Sequence, residues 1–170
     1  MFIEDSLVVY PTQGVGKIER VDRKDIGGVS CDFYVVRIRA NNITLMVPVQ
    51  NAASVGLRSL VDSSEASRIL EDLRADVEKP VFVGQNWNRR FREYSERLKS
   101  PDLGTVAQVL RELLLIGRAK ELSFGERRLL EQAMNLVCGE IAEALSLSLD
   151  DLKDELLGLY SFAPLEDEPA

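Results

Sequence analysis

The hydrophobic period of this chain changes once, near residue 62, and that change restricts the fold more than any other feature. Before it, apolar residues alternate in short runs broken by Gly, Pro and Asn, as in "LVVYP", "DFYVVRIRA" and "ITLMVPV". Alternation with period two places successive side chains on opposite faces of a strand. After it, apolar residues recur every three to four positions, as in Ile69, Leu70 and Leu73 or Leu130, Ala133, Met134, Val137 and Ile141. That is the spacing of a helix with one buried stripe. Strands followed by helices, rather than alternating with them, predict an α+β chain with two separate parts. At 170 residues, 45% of them apolar, the chain can form two small cores.

The strand region predicts four or five short strands with tight turns, hence a small, strongly bent sheet or barrel. Asp25-Ile-Gly-Gly and Asn41-Asn42 read as hairpin turns. In "ITLMVPV" the alternation assigns Ile43, Leu45 and Val47 to the core and leaves Met46 and Pro48 facing outward. Pro48 cannot donate to a ladder, so this strand belongs at a sheet edge. An exposed edge is either tolerated as it stands or used to dock a partner.

About five helices follow. Ser63 or Ser64 caps the first, over roughly 65–77, and "VEKPVFVGQN" is a connector. A second helix runs from about Trp87 to Lys99. Ser100-Pro101 supplies a cap and first position for a third, which continues to about Ile116. Ser123 and Glu126 form a capping box for a long fourth helix. Ser148 and Asp151 repeat the signature for a fifth, ending near Tyr160 before an acidic tail. The expected units are residues 1–59, 60–161 and the tail 162–170.

Charge is uneven. The net charge is −7, yet residues 1–58 hold seven basic and six acidic side chains, and residues 140–170 hold one basic and nine acidic. Against that background, Trp87–Lys99 carries five basic and two acidic residues, and it opens on the single tryptophan of the chain. Trp87, Phe91, Tyr94 and Leu98 form one apolar stripe by spacing, and Arg89, Arg90 and Arg92 project mainly elsewhere. Two readings stay open on this pattern. In one, Trp87 starts a core stripe and the arginines are solvated. In the other, Trp87 and the arginines sit at an exposed helix end that holds nucleic acid, phosphates on the cations and a base on the aromatic.

The chain has no histidine. That removes Ser-His-Asp and Cys-His catalysis and the commonest metal ligand together. Cys31 and Cys138 match no metal or CxxC spacing and read as reduced thiols. "GVGK" at residues 14–17 lacks the remainder of a phosphate loop. The chain is therefore expected not to be an enzyme and to need no cofactor. No apolar run approaches the roughly 18 residues of a membrane span, and the acidic start "MFIED" is unlike a signal peptide, so a cytoplasmic location is expected.

Six stretches carry a resemblance: "VVYPTQGVGKIE", "FYVVRI", "VPVQNAASVGLRSL", "NWNRRFREYSERL", "VAQVLREL" and "LSFGERRLLEQA". In this order they resemble the CarD/CdnL family of bacterial transcription regulators, from about residue 6 to about 160. The resemblance implies a small Tudor-like or SH3-like β-barrel domain that docks a β edge on the RNA polymerase β subunit. It also implies a helical domain touching promoter DNA upstream of the −10 element, with a tryptophan wedged at the bubble edge to stabilise the open complex. By this resemblance Trp87 is the wedge, Arg89, Arg90 and Arg92 are DNA-contacting positions, and Lys24, Met46 and Pro48 face polymerase. Some members carry Arg where this chain has Met46. The expected protein is a monomer that binds promoter DNA weakly without polymerase. A protein–protein adaptor, with Trp87 as a hot spot against another protein, is the alternative.

Overall fold

The computed structural model describes residues 1–75 and 87–160, and of Trp87 the backbone alone. The expectations for the connector 77–86 and for the acidic tail lie outside the described residues.

Five antiparallel strands form one sheet: β1 (Leu7–Tyr10), β2 (Gly14–Ile26), β3 (Val29–Ile38), β4 (Thr44–Pro48) and β5 (Arg58–Ser59), in the order β4-β3-β2-β1-β5. Gly27 and Gly28, both at positive φ, turn the long β2–β3 hairpin. A register shift between Ile18 and Arg20 interrupts the β2–β3 ladder, the kind of irregularity that bends a strand and increases its twist. The sheet is open rather than closed: among the described residues β4 and β5 are its two ends and do not pair with each other. It fits a Tudor-like fold, with the expected barrel left unclosed. Its core is built from Val8, Ile18, Tyr34, Val36, Ile38 and Val47. Ile43, expected in the core, is exposed, because it precedes β4 in the turn from β3.

Five helices follow: α1 (Ser63–Arg74), α2 (Trp87–Leu98), α3 (Leu103–Ala119), α4 (Phe124–Leu145) and α5 (Leu149–Leu159). Their common core centres on Leu110, Leu113 and Ile116 of α3 against Leu130, Val137 and Ile141 of α4. Two caps differ from expectation. Asp62, not Ser63 or Ser64, caps α1 by accepting from the Glu65 N–H at 2.8 Å. Asp102, not Ser100, caps α3 by accepting from the Thr105 N–H, while Ser100 Oγ accepts from the Asp102 N–H. In both places a carboxylate acts as the stronger acceptor for the first turn. The capping box of Ser123 and Glu126 is formed on α4, and Ser148 caps α5. The two cysteines are free thiols, Cys138 deep in the helical core.

Candidate functional site

Two surfaces emerge, one on each part of the chain. The first is the β4 edge. β4 pairs with β3 in the register Val35↔Met46 and Phe33↔Pro48, so Val47 turns into the core while Met46 is 41% exposed. Pro48 ends the strand half-buried, at the edge where its missing N–H costs nothing. Lys24 of β2, opposite Cys31 of β3, reaches across β3 and donates to Met46 Sδ at 3.6 Å. Lys24, Met46 and Pro48, widely separated in sequence, thus share one outward face. It combines an ammonium, a soft thioether and a half-buried Phe33.

The second surface is the start of α2. The helix is held at three points. Tyr94 and Leu98 enter the core, and burial, together with the nearby Glu112 carboxylate, pushes the Tyr94 hydroxyl up to about 12. Arg97 pairs with Glu112 of α3 at 3.2 Å. The third point revises an expectation. Arg90 is only 9% exposed and lies 4.0 Å from Glu126 of α4. It faces the bundle, so it does not present its guanidinium to solvent beside Arg89 and Arg92. Phe91 is the converse: expected in the core stripe, it is 42% exposed. Among the described side chains of α2 the buried ones are Arg90, Tyr94 and Leu98, spaced i, i+4 and i+8, so Tyr94 and Leu98 keep their expected place and Arg90 replaces Phe91.

Glu126 makes this arrangement workable. Its Oε1 accepts from the Ser123 N–H at 2.9 Å and from Lys120 Nζ at 3.0 Å, and its own N–H donates to Ser123 Oγ. Burial by itself would raise its carboxyl, but the Ser123 and Lys120 hydrogen bonds and the Lys120 charge outweigh that and hold it below its ordinary value. The charged carboxylate that completes the α4 capping box is therefore also the anion facing Arg90.

Arg89 and Arg92 are exposed on the solvent side of α2. On another face of the helix, an open groove of about 750 Å³ runs between α2 and α4, lined by Phe91, Ser95, Phe124, Arg128 and Gln132. Phe124 is 63% exposed, and the Arg128 guanidinium lies 5.9 Å from the centre of its ring. Sequence reading did not single out Phe124 or Arg128. The available signal was the place of Phe124 at the first helical position after Ser123, where a side chain projects beyond the bundle.

Among the described residues no group of three Cys, Asp or Glu side chains is placed to hold a metal, and no helix is long and apolar enough to cross a membrane. Fold and surfaces together define two parts, each with a surface that a partner could use: a small sheet with an exposed edge and a helical bundle with a cationic helix end. Comparison with known proteins narrows this. A family model described as "CarD, C-terminal domain" matches residues 68–157, and one described as "CarD-like/TRCF RID domain" matches residues 2–61. YdeB of Bacillus subtilis (strain 168), which carries a transcription-factor designation, is 24% identical over 141 residues, spanning 83% of this chain and 90% of that protein. A solved structure, CdnLNt from Myxococcus xanthus, is 36% identical over 36% of this chain and 86% of that one, with a TM-score of 0.31. The chain belongs to the CarD family of transcription regulators.

Proposed function

We propose that the chain docks on the β subunit of RNA polymerase through its β4 edge and stabilises the open promoter complex through the start of α2. Residues near 60 divide the docking part from the DNA-contacting part. The carrying observation is the construction of α2: Tyr94, Leu98 and the Arg97–Glu112 pair fix the body of the helix and Arg90 fixes its first turn against Glu126, while Arg89 and Arg92 stand exposed beside the backbone position of Trp87. A rigid anchor with cations and an aromatic at its free end suits a wedge on opening DNA. The arginines hold phosphates while the indole of Trp87 takes the place of a stacking neighbour at the edge of the melted bases. Arg90 belongs to the anchor in this reading, not to the phosphate contacts.

No bond is made or broken. The factor acts by binding the open state better than the closed one, which shifts the equilibrium by its differential affinity. Two exposed arginines beside Trp87 on a net acidic chain give weak binding to free DNA, since few phosphates are neutralised there. Attachment to polymerase raises the local DNA concentration and makes such contacts sufficient. One monomer per polymerase suffices, and the protein is found in the cytoplasm on the nucleoid wherever polymerase is.

At the dock, an exposed strand edge offers backbone groups to a partner strand, and Lys24, Met46 and Pro48 supply the side-chain contacts. The test is capture of the polymerase β lobe by immobilised wild-type protein and by Met46→Asp. Capture by wild type and its loss in the variant support the dock. Absence of capture by wild type sinks it.

A further inference from the structure

Among the described residues three charged side chains are buried: Arg90, Glu126 and Glu140. The first two face each other inside the helical bundle. Glu140, on α4 and 1% exposed, faces the sheet instead. Arg58 of β5 donates to it twice, Nη1 to Oε2 and Nη2 to Oε1, both at 2.7 Å. The Val61 N–H, in the segment joining sheet to helices, donates to Oε2 at 2.9 Å. The Arg58 Nε donates to the Pro101 carbonyl between α2 and α3. One carboxylate and one guanidinium thus tie together the last strand, the segment after it, the loop behind α2 and the C-terminal third of the longest helix.

Neighbouring contacts leave little room for sliding. Gly56, at φ +84°, lies so close to Pro11 and Pro101 that a Cβ there would meet the Pro11 ring at 2.9 Å. Arg39 pairs with Glu143 one turn further along α4.

A buried ion pair is weak evidence for stability, because desolvation offsets most of its attraction; its best-attested use is to select one arrangement among several. A bidentate pair is directional and fails if either group turns. We infer that Arg58 and Glu140 are positioning residues that fix the sheet against the helical bundle, and with it the spacing between the β4 edge and the start of α2. The functional weight of that spacing rests on the proposed function.

The test is a distance measurement by double electron–electron resonance between nitroxides on Cys31 and on Ala119→Cys, at the exposed end of α3. Cys138 does not interfere, since burial pushes its thiol up to about 12. A single narrow distance distribution is expected with Arg58 and Glu140 intact, and a broad or multiple one after Glu140→Gln. Circular dichroism identifies a variant that has not folded. The double replacement Arg58→Met with Glu140→Met, which strands no buried charge, then decides. A narrow, unshifted distribution in the folded variants overturns the inference. In a promoter assay Glu140→Gln shortens the lifetime of open complexes without loss of polymerase capture. If wild-type protein leaves that lifetime unchanged, the proposed function fails and the distance measurement still judges the joint.

Discussion

Replacing Glu126 by alanine removes three interactions made by one carboxylate. The capping box loses the side chain that accepts from the Ser123 N–H, about 1 kcal/mol on the scale of helix caps. The Lys120 pair goes too, and because the lysine is 41% exposed this adds at most about 0.5 kcal/mol. The largest effect is on Arg90, whose side chain is 11% exposed and loses its facing anion. Removing one member of a fully buried pair costs about 3–5 kcal/mol, and a contact at 4.0 Å with some solvent access belongs below that range, near 2 kcal/mol. The sum is roughly 3 kcal/mol, against a typical total of about 5–15 kcal/mol. For a chain of this size each kcal/mol moves the midpoint by about 2–4 °C, so Tm should fall by roughly 6–12 °C. Calorimetry measures this, and fluorescence of Trp87, the single tryptophan, follows α2 during the same transition. Arg90→Met is the control: it leaves the capping box and the Lys120 pair intact and should cost less. A drop of under about 2 °C in Glu126→Ala, or an equal drop in both variants, would refute the anchoring role of the carboxylate.

Three further outcomes follow from the same geometry. Arg89→Ala and Arg92→Ala should each lower the salt dependence of promoter binding by about one counterion, and Arg90→Met should not; equal slopes for all three would return Arg90 to the phosphate contacts. Acid sensitivity should carry the mark of Glu126. Its folded-state value lies below the ordinary 4.5, so its contribution is present above about pH 4.5 and is lost as pH falls through the folded value. Denaturant midpoints of Glu126→Gln should therefore decline less steeply below pH 4.5 than those of wild type. Finally, a thiol reagent at pH 8 should modify Cys31 and spare Cys138 in the folded protein, both reacting after denaturation; rapid modification of Cys138 would contradict its burial.

The division into strands and helices was legible because hydrophobic period is a local property: neighbouring residues carry it. The edge position of β4 was legible for the same reason, since Pro48 declares it from within the strand. The face of α2 was only partly legible. Trp87, Phe91, Tyr94 and Leu98 make a convincing stripe by hydropathy, but the bundle turns the helix so that Arg90 enters and Phe91 leaves. What makes a buried arginine tolerable is Glu126, held in place on another helix by its own capping box, and no pattern within α2 records that. Arg58 and Glu140 escape sequence reading on the same ground. They are separated by 82 positions, and each alone reads as an ordinary surface charge. The caps show a smaller effect: where Ser and Asp compete within a few residues, which one closes the helix depends on the backbone leading into it, as at Asp62 and Asp102.

The proposed role of Trp87 stands or falls with the open promoter complex. Its direct measurement is the lifetime of competitor-resistant complexes formed by RNA polymerase with wild-type protein and with Trp87→Ala, at equal polymerase occupancy. One aromatic–base contact is worth about 1–3 kcal/mol. Trp87→Ala should therefore shorten the lifetime about fivefold or more, since about 1.4 kcal/mol is tenfold, while capture of polymerase is unchanged. Equal lifetimes for the two proteins would contradict the wedge.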